Sequence, residues 1–173
     1  MKAGKARRIA FAAVLAALSA ALLYLGSVLP TGRLALVAIA SLLPAAAVMA
    51  GGVGLGFLTY AASALLALFI LPDKTCAVAY ALVLGWYGPV KSIIERIDRL
   101  WLEWLIKIAL FSAAAAAFYF AFSAMFSALI PAAKLPHPAL VIPVLLAAFV
   151  LYDVAFTGLI GFYRRRIAGR LRF

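Results

Sequence analysis

The chain has a single cysteine, Cys76, a single histidine, His137, and only five acidic residues in 173. One cysteine excludes an internal disulfide, and no Cys/His cluster with metal-ligand spacing exists anywhere in the sequence. The apolar stretches carry no paired carboxylates, no His/Glu metal motif and no Ser/His or Cys/His set from which a catalytic site could be assembled. The glycine run Gly51-Gly52-Val53-Gly54-Leu55-Gly56 matches neither a dinucleotide nor a phosphate-loop fingerprint and reads as a tight turn with close packing. No enzyme activity, cofactor or metal is expected from these residues. His137, between Pro136 and Pro138, reads as a solvated loop residue.

Charge is scarce as well, at 12% of residues, while 69% are apolar, far above the roughly 45–50% of a soluble domain. With about 20 apolar residues to a membrane-spanning helix, the composition suffices for six spans and leaves no room for a soluble catalytic or ligand-binding domain. The expected fold is an all-α integral membrane bundle of six transmembrane helices with one cytoplasmic interfacial amphipathic helix.

The apolar blocks place the spans at about 9–29, 34–50, 53–71, 76–93, 105–130 and 139–163, in one transmembrane domain over residues 1–173. The first block is too long for the apolar region of a cleavable signal and is expected to stay as the first helix. Pro44 should kink or break the second, because its ring removes a backbone donor. Gly85, Gly88 and Pro89 should bend the fourth near its end. Between Lys91 and Glu103, Ile93, Ile94, Ile97, Leu100 and Trp101 recur at helical spacing among charged residues, which predicts an interfacial helix over about 91–103.

Lys plus Arg outnumber Asp plus Glu by 16 to 5, for a formal charge of +11. In a soluble domain that excess would point to nucleic acid; here the basic residues sit at chain ends and between apolar blocks, so no nucleic acid is expected. Thirteen of them (four near the N terminus, Lys91, Arg96, Arg99 and Lys107 in the fourth-to-fifth connection, and five in the tail over 164–173) fall on one side of a six-span layout. Only Arg33, Lys74 and Lys134 fall on the other. The positive-inside rule then predicts both termini in the cytoplasm.

Asp153 is the most informative residue. It lies eleven residues before Arg164, about 16 Å along a helix, near the middle of a hydrocarbon core roughly 30 Å thick. Intramembrane acids face the bundle interior, pair with a cation or polar group, and commonly mark a substrate or ion path. Asp153 therefore either contacts a substrate or locks packing by bonding Lys107, Lys91 or a tyrosine hydroxyl. Lys107, four residues after Glu103, has the spacing of a helix-surface ion pair, and snorkelling to the interface would also satisfy it. Trp86, Tyr87, Tyr119 and Tyr152 could line a cavity. The first helix carries two small-residue rows, Ala12, Ala16, Ala20 and Ala13, Ala17, Ala21, which let another helix approach closely.

The basic lead, the alanine rows, the short second helix with its proline and the compact loops together resemble the substrate-binding S components of energy-coupling factor (ECF) transporters. That resemblance covers nearly the whole chain and implies a bacterial cytoplasmic-membrane protein that takes up a small vitamin-like solute, energised by partner ATP-binding subunits through a membrane coupling subunit. It implies that one alanine row of the first helix docks on the coupling subunit. It also implies a solute site in the outer half of the bundle, pointing to Asp153, Tyr152, Trp86, Tyr87 and Tyr119. The stretch from Gly85 to Arg96 with Leu102-Glu103-Trp104 also looks like a small uncharacterised bacterial six-helix membrane family. The alternative function is a non-transporting membrane assembly or scaffold protein, similar to the rod-shape-determining membrane subunit, with the 91–103 helix and basic tail as working parts at the lipid surface.

Overall fold

Glycines with positive φ and proline-marked loops divide the chain into antiparallel helices. The computed structural model describes residues 2–95, 99–126, 147, 149–158 and 161. Helix α1 (Lys2–Val28) turns through Gly32 into α2 (Arg33–Gly51), and Gly52 turns α2 into α3 (Val53–Ile70). Both glycines have left-handed φ, 77° and 89°, where any other residue would be strained. Helix α4 (Lys74–Ala79) runs through a π turn over Tyr80–Leu84 into α5 (Tyr87–Ile94). Next come α6 (Leu100–Phe126) and a short apolar helix α7 (Phe149–Gly158).

The fold is an all-helical membrane bundle of about six helices. Five apolar helical segments among the described residues are long enough to cross a bilayer: Gly4–Val28, Arg33–Gly51, Val53–Ile70, Lys74–Ile94 and Trp101–Ala121. No strand occurs among the described residues. Residues 127–146, which include Lys134, His137 and the start of the expected sixth span, lie outside the described residues, as do Arg96, Asp98 and the basic tail.

One expectation is narrowed and another needs correction. Of the kink or break expected at Pro44, the break does not occur: helix α2 runs through it. Proline cannot bond to the carbonyl four residues back, which here is that of Ala40, and the Ser19 hydroxyl of α1 donates to this oxygen instead at 3.1 Å. The separate helix over 91–103 is divided: Lys91 to Ile94 close α5, Glu95 turns, and Leu100 onward opens α6. Lys91 is 1% and Lys107 2% exposed. Both lysines turn inward from either side of the connection instead of lying along a membrane surface, while Ile93 and Trp101 face outward.

The π turn is held by side chains that take up its displaced carbonyls. Gly85 N–H bonds to Tyr80 O at 2.7 Å, the Tyr60 hydroxyl donates to Ala81 O at 2.7 Å, and the Trp86 indole donates to Leu82 O at 2.7 Å. Such re-satisfaction is what permits irregular helix within a membrane. Beside it, the fully buried Tyr80 hydroxyl joins three helices, lying 3.2 Å from the Ser19 hydroxyl and sharing a 2.7 Å bond with Ser63. Tyr80→Phe is expected to lower stability by only about 1 kcal/mol, because Ser19 keeps Ala40 O and Ser63 keeps Tyr60 O. Thermal unfolding in detergent measures this, and a loss several times larger would assign the hydroxyl a larger part in the fold.

At the end of the bundle opposite Gly52, Asp73 caps α4 by accepting from Thr75 N–H and pairs with Arg33 at 3.0 Å. Lys74 donates to Leu68 O near the end of α3. These ties hold the α2 start, the α3 end and the α4 start together.

Candidate functional site

Residues four apart on a helix share a face, and three such rows meet between α5, α6 and α7. Helix α5 supplies Tyr87 and Lys91, with Glu95 following at its end. Helix α6 supplies Glu103, Lys107, Phe111 and Ala115, and α7 supplies Phe149, Asp153 and Thr157. The rows bring charge level with charge and ring level with ring.

Asp153, 4% exposed, stands at the centre. Its Oδ1 accepts from both the Tyr87 hydroxyl and the Lys91 ammonium, and its Oδ2 lies 3.4 Å from Lys107 Nζ. Lys91 also donates to the Thr157 hydroxyl at 2.9 Å, and Thr157 in turn donates to the Asp153 carbonyl at 2.8 Å. Lys107 bonds Glu103 at 2.6 Å, and Glu95 reaches Lys91 at 3.2 Å and Lys107 at 3.7 Å. Two buried cations are thereby matched by Asp153 and Glu103, with Glu95 at the more exposed edge. Every buried side-chain nitrogen and oxygen among the described residues has a hydrogen-bond partner, as buried charge in an apolar setting requires. The Lys107 ammonium also lies 5.5 Å from the centre of the Trp104 ring.

All three packing partners named for Asp153 are realised together: Lys91, Lys107 and a tyrosine hydroxyl reach it. Its depth differs from expectation. The partners come from the end of α5 and the early turns of α6, so Asp153 sits toward the Gly52 end of the bundle instead of its middle.

Two cavities flank this cluster. Toward the Gly52 end, an open vestibule of about 710 Å³ is lined by Glu95, Glu103, Lys107, Asp153, Thr157 and Gly158, among others. Toward the Asp73 end, a half-open apolar pocket of about 290 Å³ lies between α2, the π turn, α6 and α7, with Ala38, Leu84, Phe111, Ala115, Phe149 and Tyr152 in its wall. The pocket's polar edge is the Tyr152 hydroxyl, which shares a 2.5 Å bond with Ser41.

The five predicted site residues are thus dispersed. Tyr87 and Asp153 join in the charged cluster, and Tyr152 lines the apolar pocket with its ring 5.7 Å from that of Tyr87. Trp86 does not join them, because its indole N–H is engaged by its own helix. Tyr119 does not either: it is 40% exposed beside Phe120. A row of every fourth residue drifts by about 40° per step around the helix axis, and three steps from Lys107 carry Tyr119 off the shared face. Placing Asp153 and Tyr87 in the half of the bundle away from the basic lead is therefore corrected; the apolar pocket occupies that half. Of the alanine rows, Ala12 and Ala16 are buried and Ala20 is half-buried. Ala13, Ala17 and Ala21 are exposed.

Sequence reasoning overlooked Thr157 and the pocket walls Phe111 and Phe149. The available signal was the four-residue spacing itself, Phe149-Asp153-Thr157 on one helix and Glu103-Lys107-Phe111 on another. Compared with known family models, curated proteins and solved structures, the chain matches none.

Proposed function

We propose that this multi-pass membrane protein is the substrate-binding subunit of an ECF-type transporter, taking up a small, largely apolar, vitamin-like solute with energy from partner ATPases. The observation that carries this reading is the half-open apolar pocket of about 290 Å³ between α2, the π turn, α6 and α7, since pockets walled by apolar and aromatic groups with a few polar atoms are characteristic of small-molecule sites. The reading places the Gly52 end in the bacterial cytoplasm, where Lys5, Arg7, Arg8 and Arg99 lie, and Arg33 and Lys74 outside. The apolar pocket then occupies the outer half. The exposed row Ala13, Ala17 and Ala21 is left as the surface for the coupling subunit.

The scaffold alternative needs a cytoplasmic working face over 91–103, and the inward turn of Lys91 removes one of its charges. Affinity purification of the tagged protein from native membranes in mild detergent, with mass spectrometry of attached proteins, separates the two. Recovery of two ATP-binding subunits and a coupling subunit is expected, and Ala17→Trp should abolish it while leaving the fold intact. Recovery of cell-wall or cytoskeletal proteins without an ATPase would sink the transporter reading.

A further inference from the structure

Among the described residues that line the apolar pocket, Tyr152 is the only one with a polar side chain, and none is charged. That one hydroxyl therefore decides which polar atom a bound molecule can bring. Tyr152 and Ser41 have one hydroxyl proton each. Ser41 donates its proton to the Ala38 carbonyl, three residues back, at 2.6 Å. The proton in the 2.5 Å bond between Ser41 and Tyr152 must then come from Tyr152. The tyrosine's donor is spent inside the protein, and its oxygen is left to the pocket as an acceptor. The ring packs against Tyr87 and Phe156, with centroids 5.7 and 5.5 Å away, which fixes where that oxygen sits. Asp153, next in sequence, offers the pocket no charge, because its carboxylate is taken up by Tyr87, Lys91 and Lys107 on the vestibule side.

We propose that the pocket selects an uncharged ligand with an apolar body and one hydrogen-bond donor, an alcohol in the simplest case, whose hydroxyl donates to Tyr152 Oη. This rests on reading the pocket as a solute site and adds the ligand class. A carboxylate or ammonium would enter a wall that holds no counter-charge, which is costly. An ether or ketone would bring an acceptor against an acceptor and leave both unsatisfied. The rings of Phe111 and Phe149, stacked with centroids 4.1 Å apart, give the body apolar surface to pack on. A volume of about 290 Å³ is roughly that of ten waters at about 30 Å³ each, enough for a compact ring system.

The test is equilibrium dialysis of the purified protein in detergent against matched empty micelles, with 2-naphthol and 2-methoxynaphthalene as probes. The two share a ring system, and only the first can donate a hydrogen bond. Tyr152→Phe should weaken 2-naphthol about fivefold, equivalent to about 1 kcal/mol and the net worth of one hydrogen bond, while leaving 2-methoxynaphthalene nearly unchanged. Ser41→Ala returns the Tyr152 proton to the pocket and should strengthen 2-methoxynaphthalene by a similar factor, whereas a packing defect alone would weaken both probes. Ala115→Leu, which fills part of the pocket, should weaken both. Affinities that Tyr152→Phe leaves unchanged or lowers alike for the two probes would overturn the ligand class and keep the pocket as a solute site. No saturable binding of either probe, or binding that Ala115→Leu does not affect, would overturn the solute site as well.

Discussion

Asp153→Ala is expected to destabilise the protein by about 3–5 kcal/mol, the penalty of removing one member of a buried ion pair and leaving its cations uncompensated. Lys91 suffers most. It is 1% exposed, and its remaining partners would be the Thr157 hydroxyl and Glu95 at the edge of the cluster. Lys107 retains Glu103 at 2.6 Å. The double variant Lys91→Met with Asp153→Leu removes one charge of each sign, and it should recover most of the loss because well-packed apolar groups replace buried pairs at little cost. Unfolding by SDS in mixed micelles measures both. A single variant within about 1 kcal/mol of the parent protein would show that Asp153 does not hold the three helices together.

Gly88→Leu carries the second-largest expected effect. A Cβ at Gly88 would stand 2.9 Å from the Ala45 Cβ and 3.2 Å from the Phe156 ring, so α5 would have to move away from both α2 and α7. Overpacking of this kind costs about 1–3 kcal/mol, and the displacement acts on Tyr87 and Lys91, the α5 residues that reach Asp153. Lower thermal stability is expected, with partial rescue by Ala45→Gly. A leucine at Gly54, where nothing lies within 4 Å, should be nearly neutral. Leucine favours helix over glycine, so equal losses at Gly54 and Gly88 would count against close packing at Gly88 as the cause.

The helices were legible because apolar length and glycine or proline punctuation are local signals. The second and third spans end within one residue of where the blocks end, at Gly51 and Ile70. The 91–103 segment misled because its periodicity is genuine but continues into flanking helices: Ile94 belongs to the α5 face and Trp101 to the outward face of α6. Periodicity records that a face exists and not what covers it. Asp153 stood out by charge alone, and its partners could be named because only two lysines lie within the apolar region. The apolar pocket was not legible, since Phe111 and Phe149 are two aromatics among many. Their stacking depends on how α6 and α7 are set against one another, which no local pattern records.

The Ser19 bond to the Ala40 carbonyl bears on how the chain enters the bilayer. Inserted alone, α2 would carry into lipid a carbonyl that Pro44 cannot satisfy. Its donor resides on the preceding helix, already synthesised, and the turn at Gly32 is short enough to bring α1 alongside at once. The first two helices are thus suited to leave the insertion machinery as a hairpin, with Ser19 escorting the proline-weakened segment across.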